Sequence, residues 1–254
     1  MRLNEVAKLY RNYSSADLVR DVHPNDKMFK TGPDWYFPVG QSGVDCIFAA
    51  LPLTKLDSVR RILDLPCGHG RVARHLRAAF PDAEIHFSEI DKEAADFCAK
   101  TFDGKPHYSV PDLTKADVPS GFDVIWIGSL FTHLPRDKVM LWLAYLSERL
   151  SPNGVLVATF HGYFAATHTN AGASIDMAKL RRDFEITCYG FGAYEPAKSK
   201  DYGFSLSRPS CTIDMASSIP GTRIVSYTER GWAQNHDVLA LSRDDRLRPF
   251  GANS

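Results

Sequence analysis

Asp64, Gly68, Gly70 and Glu89 are the residues whose types and spacing invite chemistry. They fall in "ILDLPCGHGRV" and in "HFSEI", and Glu89 comes 21 residues after Gly68. An apolar run ends at the carboxylate of Asp64. A turn of small residues (Pro66, Cys67, Gly68, Gly70) then leads into a helical stretch. Glycine lets a backbone lie almost against a bound molecule. A helix start offers free N–H groups and a positive dipole, which suit a carboxylate or phosphate. An acid on the strand side and an anion-attracting helix end together fit a zwitterion. Glu89 closes the next apolar run, where an acid can accept from both hydroxyls of a ribose, in charge-assisted bonds worth roughly 1.5–3 kcal/mol each. Asp112 and Leu113 follow a third run near 107–110 and can present a polar contact and an apolar wall to an adenine ring. Proline at 66 holds φ near about −65° and has no N–H, so the turn uses neither positive φ nor a donor there.

These residues need a frame. From residue 60 the chain alternates apolar runs ("RILDL", "EIHFSE", "FDVIWIG", "GVLVATF") with amphipathic stretches. Near-continuous apolar runs are what parallel strands covered on both faces require. In "PRDKVMLWLAYLSERL", Val139, Trp142, Leu143, Leu146 and Leu150 form one helical stripe, and "SPNG" stops that helix. The alternation predicts an α/β fold, a doubly wound sheet with helices on both faces. Residues 1–59 read as a helical preface or lid segment, irregular over 23–43, with a short helix in "GVDCIFAALPL". Residues 60–254 read as the ligand-binding domain. Weak periodicity over 161–208 marks an insertion over the site. A short helix near 211–218 and the runs "TRIVSYT" and "DVLALS" then close the sheet as an antiparallel pair.

The ordered motifs "ILDLPCGHGRVARHL", "HFSEIDKEA", "FDVIWIGSLFTHLP" and "LSPNGVLVATFHG" resemble those of class I S-adenosylmethionine-dependent methyltransferases. The resemblance covers about residues 60–162 and the closing strand pair. It implies a Rossmann-like seven-stranded sheet with an antiparallel last strand, and S-adenosyl-L-methionine as cofactor. It places Asp64, Gly68 and Gly70 around the methionine moiety, within the turn that holds Pro66 and Cys67. Arg71 is close enough to buttress that turn. Glu89 falls on the ribose, Ile90 on the adenine, and Asp112 and Leu113 at the adenine end. Gly128, Ser129 and Leu130, after the fourth strand, fall beside the cofactor. Related enzymes close an N-terminal segment over the cofactor, which assigns Tyr36 and Gly40 to a lid. A nicotinamide dehydrogenase would show G-x-G-x-x-G; here the order is Asp-x-Pro-x-Gly-x-Gly, which disfavours an NAD(P)-dependent oxidoreductase. An inactive S-adenosylmethionine-binding protein is the other alternative.

Methyl transfer needs an acceptor held in line with the methyl group, and an oxygen of high pKa also needs a base near pH 7. His133 in "FTHLP", His161 in "TFHG" and His236 in "NHDV" are the candidates; His133 could equally be structural and bond a loop carbonyl, and His236 stands next to Asp237 as an acid–base pair would, although strand neighbours point to opposite faces. His69 shapes the glycine turn, and the remaining histidines have no metal-site spacing, so no metal is expected. Cys67 reads as a small packing residue, Trp126 and Trp142 as core, and Arg71 and Arg74 as a solvated helix face. Tyr163, Phe164, Tyr189, Phe191, Tyr194 and Tyr202 form either an acceptor pocket or the insertion's own core.

Composition sets outer limits. The 254 residues carry 30 Lys plus Arg and 30 Asp plus Glu. Without a basic excess, binding to a phosphate backbone is not expected. Five scattered cysteines without a CxxC pair fit a reducing compartment, and no signal peptide or membrane run is evident. The expectation is a cytoplasmic enzyme acting on a small-molecule or saccharide acceptor. The oligomeric state is not legible.

Overall fold

The computed structural model describes residues 1–194 and 199–247. In chain order the elements are α1 (Leu3–Ser14), α2 (Pro33–Ala50), β1 (Arg61–Asp64), α3 (Ala73–Ala79), β2 (Glu84–Glu89), α4 (Lys92–Thr101), β3 (Lys105–Tyr108), β4 (Phe122–Ile127), α5 (Arg136–Ser147) and β5 (Leu150–Phe160). Then come α6 (Tyr163–His168), α7 (Met177–Thr187), β6 (Tyr189–Ala193), β7 (Gly203–Ser207), α8 (Pro209–Ser217), β8 (Thr222–Trp232) and β9 (His236–Arg243). Seven strands form one sheet in the order β3-β2-β1-β4-β5-β9-β8. Six point one way, and β9 runs against both β5 and β8. This is the α/β, Rossmann-like arrangement expected, with the closing pair antiparallel.

β4 shows why the strands read as apolar runs. Every residue from Phe122 to Ile127 is buried. Val124 and Trp126 enter the core on one face, and Ile125 and Ile127 the core on the other. Strand side chains alternate between faces, so a strand covered twice must be apolar throughout. The strand order turns at β1, which lies between β2 and β4. Connections leave in opposite directions there, which opens a crevice beyond the carboxyl ends.

Two segments differ from expectation. Residues 33–43, read as irregular, belong to α2. Pro33 takes the first helical position, where its missing N–H costs nothing. Tyr36, Val39, Gly40, Gly43, Val44 and Ile47 then form a buried stripe at helical spacing. Gly40 and Gly43 interrupt the run of large side chains in that stripe, and Pro38 lies inside the helix, so its period is masked. Residues 161–208 are also more regular than their periodicity suggests: two helices and the β6–β7 hairpin enclose a small core that includes Ile175, Leu180, Phe184 and Phe204. Residues 195–198 of this insertion lie outside the described residues.

Candidate active site

Asp64 ends β1 with its side chain buried. It is 1% exposed, and neither carboxylate oxygen has a hydrogen-bond partner among the described residues. Burial pushes its pKa well above the ordinary carboxylate range, and the nearby charge of Glu89 adds to this. An acid in this state is short of a cationic partner. The turn that follows is bare at Gly68. Gly68 has φ of 50°, and a Cβ built there would meet nothing within 4 Å. Its N–H donates to Glu89 Oε2 at 3.0 Å, while Glu89 Oε1 accepts from the Ile90 N–H at 2.7 Å. A carboxylate accepts about four hydrogen bonds, so Glu89 keeps capacity for a ligand. Gly70 serves differently: its added Cβ would lie 2.3 Å from a ring carbon of Phe102, so this bareness lets α4 pack against the turn. Pro66 follows Leu65 through a cis peptide.

Two hollows meet at Glu89. One, of about 540 Å³, is lined by Pro66, Glu89, Ile90, Leu113, Leu130 and Tyr202, among others. Trp142, expected in the core, also lines it, and its indole Nε1 is buried without a partner. The other, of about 940 Å³, runs between Gly68, His69 and Glu89 and the segment from Val22 to Lys30. Asp112 is outside these linings; it caps the turn after it by accepting from Thr114 and pairs with Lys115 at 3.1 Å. Gly128 packs on Trp126. Ser129, with φ of 59°, donates its N–H to Thr159 Oγ1 at 2.8 Å. Backbone held in this uncommon region is a feature of functional sites.

The N-terminal segment is tied to the glycine turn by a residue that sequence reasoning misplaced. Arg74, read as part of a solvated face, is 1% exposed. It donates to the Gly70 carbonyl at 2.9 Å, to the Val19 and Asp21 carbonyls at 2.9 Å each, and to the Tyr36 hydroxyl at 3.2 Å. Tyr36 is fully buried and donates to Asp26 at 2.6 Å. Gly40 lies under the Arg71 carbonyl and the His75 ring. Tyr36 and Gly40 therefore sit behind the turn, and Tyr36 reaches it through Arg74. No spacing signal in the sequence marks Arg74 as this hub. Arg71 is mostly buried as well, 5.3 Å over the Trp232 ring, with no hydrogen bond or ion pair among the described residues. Burial lowers its pKa, against the raising charges of Tyr36 and Asp26.

The three candidate histidines, far apart in the chain, converge at this edge. The rings of His161 and His236 stack at 4.8 Å, and His133 meets His161 edge-on at 6.4 Å. Trp232 stacks on His236 at 4.9 Å and Phe204 on His161 at 4.4 Å. Burial is the leading cause that depresses all three pKa values, that of His236 to about 3 with a further push from the Arg71 charge. Asp237, adjacent to His236, turns to the other side, as strand neighbours do; it accepts from the Tyr227 hydroxyl at 2.6 Å and the Arg230 N–H at 2.9 Å.

The insertion's aromatics divide between the two roles left open. Tyr163 packs on Phe184, Phe164 on His168, Tyr189 bonds the Leu134 carbonyl, and Phe191 joins the main core. Tyr194 and Tyr202 flank His133 at 5.9 and 5.3 Å. Cys67 is buried and its thiol points to the Gly68 carbonyl, a packing position. His23, His69 and Glu93 come close enough to suggest a cation site. However, the Asn25 N–H donates to His23 Nδ1 at 3.2 Å, which puts the proton of the neutral ring on Nε2, facing Glu93 at 3.8 Å. The group ties the N-terminal segment to α4.

Comparison with known proteins bears on the fold and the central segment. Residues 63–156 match the family described as methyltransferase domain. A malonyl-(acyl-carrier protein) O-methyltransferase from Halalkalibacterium halodurans is 31% identical over 112 residues, 42% of this chain and 41% of that protein. The similarity thus spans about two fifths of the curated relative. Among solved structures, the sugar N-methyltransferase KedS8 from a Streptoalloteichus species superposes with TM-score 0.59 at 13% identity, covering 91% of this chain and 97% of that one. An S-adenosylmethionine-dependent methyltransferase from Clostridium acetobutylicum gives TM-score 0.56 at 12% identity, over 95% and 98%. The seven-stranded sheet with one reversed strand is a fold shared with these methyltransferases, and the central segment, residues 63–156, is similar to a methyltransferase domain.

Proposed function

We propose that the protein is an S-adenosylmethionine-dependent methyltransferase that modifies oxygen or nitrogen of a small molecule or saccharide. The observation that carries this reading is Asp64: a fully buried carboxylate, with neither oxygen partnered among the described residues, at the end of the strand that leads into a turn with open space over Gly68. A cationic amine meets that need. Arg71, whose guanidinium has no hydrogen bond or ion pair among the described residues, lies one residue past the turn and suits the carboxylate of the same amino acid. Glu89 would hold the ribose hydroxyls. Ile90, Leu113, Leu130 and Pro66 supply the apolar walls an adenine requires. When bound, the sulfonium supplies an activated methyl group. The protein's task is to orient the acceptor and exclude water. Residues 1–59 would cover the glycine turn, and the insertion at 161–208 would wall the acceptor side. The name of the sugar N-methyltransferase neighbour favours a saccharide among small acceptors. All five cysteines are free thiols, in keeping with a reducing, cytoplasmic setting.

Titration calorimetry with S-adenosylhomocysteine, followed by a methyl-transfer screen, tests the reading. Binding in the micromolar range with measurable transfer is expected. Binding without transfer to any acceptor would mark an inactive binder, and nicotinamide binding without S-adenosylhomocysteine binding would sink the proposal.

A further inference from the structure

His86 on β2 and His107 on the edge strand β3 take no part in the proposed reaction. Their rings are nearly coplanar, 13° apart, with His86 Nδ1 2.6 Å from His107 Nε2. The chain of contacts runs on at both ends. His86 Nε2 lies 2.6 Å from Glu84 Oε1, and His107 Nδ1 lies 3.1 Å from the Asp117 carbonyl oxygen. Bonds from Lys105 and His86 hold the Glu84 carboxyl well below the usual carboxylate range, so it is ionised. A carboxylate and a carbonyl only accept. The three contacts therefore need three protons, and two neutral imidazoles carry two.

With two protons, one contact must open. Bonds to an ionised acceptor are the stronger kind. Glu84 accepts from His86, from Arg61 Nε at 3.0 Å and from Lys105 at 2.6 Å, so His86 Nε2 keeps its proton. His107 then donates to His86 through Nε2, and its bare Nδ1 faces the Asp117 carbonyl with no hydrogen between them. The tie to Asp117 is the one that opens. The other neutral arrangement has Arg61 donating to His86 Nε2 at 3.2 Å. It takes two donors from Glu84 and sets a bare nitrogen against the carboxylate.

The tie matters because of what it holds. Ser109, Val110, Pro111 and Leu113 line the hollow at Glu89. The far end of that segment is anchored at three successive carbonyls: Ala116 to Tyr145, Asp117 to His107 and Val118 to Arg149. The charged groups around the pair are Arg61 from β1, Glu84 from β2, Lys105 from β3 and Asp117 from the segment itself. Burial is the leading cause that lowers both pKa values, opposed by the Glu84 bond at His86 and the Asp117 bond at His107. The third proton therefore arrives below the ordinary histidine value of about 6.5. A fourth is disfavoured, because it would put two charged rings in contact.

We infer that His86 and His107 form one proton-binding site, that it takes a single shared proton, and that this proton ties the Asp117 carbonyl and the wall segment 109–118 to the sheet. The wall is held in mild acid and released as pH rises through the titration of the pair.

Two measurements test this. Histidine-selective ¹⁵N labelling of the full chain, titrated from pH about 8 to about 5 across the ordinary histidine range, reads the protons on each ring nitrogen, with His107→Asn assigning the signals. At the alkaline end both rings should carry their proton on Nε2. On acidification the two should gain one proton between them at a common midpoint, and His107 should then be protonated on Nδ1 as well. A neutral His107 protonated on Nδ1, two rings that each gain a proton independently, or no uptake by either would overturn the inference. The second measurement rests on the cofactor reading and follows S-adenosylhomocysteine affinity with pH by calorimetry. His107→Asn keeps an N–H for the Asp117 carbonyl at every pH and cannot share a proton with His86. Asp64 is common to both proteins, so its titration cancels in the ratio of their affinities. Over the same pH range, native affinity should fall relative to the variant by roughly 2- to 10-fold as pH rises, the worth of one hydrogen bond. A constant ratio would refute the link between the proton and the wall. Failure of S-adenosylhomocysteine to bind either protein would instead strike the cofactor reading, and the proton count would still be read.

Discussion

Replacing Asp64 by Asn should make the empty protein more stable and the ligand weaker. In the folded chain this carboxylate is buried and has no hydrogen-bond partner among the described residues. Burial raises its folded pKa above the unfolded value. An acid raised in this way contributes most to stability when protonated, below the unfolded pKa of about 3.9, and that contribution is lost as pH rises toward the folded pKa. At pH 7 the native chain therefore carries the cost of this acid. Asn has nearly the same shape without the charge, and the relief is on the order of 1–2 kcal/mol. For a chain of this size each kcal/mol moves Tm by roughly 2–4 °C, so the variant should melt several degrees higher at pH 7. At pH about 4 the two proteins should converge, because the native acid is then protonated too. Binding should move the other way. Loss of one charge-assisted bond to an ammonium, about 1.5–3 kcal/mol, weakens S-adenosylhomocysteine by roughly 10- to 150-fold. Melting curves at the two pH values and titration calorimetry give both readouts. A lower Tm at pH 7 with unchanged affinity would refute the view that Asp64 awaits a cationic ligand.

Three further outcomes follow from the same geometry. Glu89→Ala should weaken S-adenosylhomocysteine tenfold or more, about 1.4 kcal/mol, in calorimetry; an unchanged Kd with the fold intact would remove Glu89 from the ribose. Arg74→Met strips donors from three carbonyls and the Tyr36 hydroxyl, so Tm should fall by an amount worth roughly 3 kcal/mol, and chymotryptic cleavage within residues 17–32 should speed up. Gly70→Ala places a methyl group against Phe102 at φ of 88° and should cost about 1–3 kcal/mol of stability. Gly68→Ala, with open space around it, should instead mainly weaken S-adenosylhomocysteine; a larger loss of Tm at 68 than at 70 in thermal melts would reverse these assignments.

The sheet was legible because covered strands must be apolar along their whole length, as β4 shows. The strand-end acids were legible because buried strands rarely end in carboxylates without cause. The convergence of His133, His161 and His236 is a product of topology: β9 runs backwards, so its first residue reaches the edge where β5 ends. The positions could be suspected singly, but their stacking could not be read from spacing. α2 was hidden because the residues that pack it closest, Gly40 and Gly43, carry no hydrophobic signal. Arg74 was misread because a charged residue in the first turn of a helix looks the same in sequence whether it meets water or four acceptors of the protein. Trp142 was similarly ambiguous: a helical stripe shows that it faces inward, not that a hollow lies beside it.

A crystal structure of the full chain with S-adenosylhomocysteine bears most directly on the whole account. The amino group should meet Asp64, the ribose hydroxyls Glu89 and the adenine the wall of Ile90 and Leu113, with the sulfur turned toward His133. A ligand lodged elsewhere, with Asp64 still unpartnered, would contradict it.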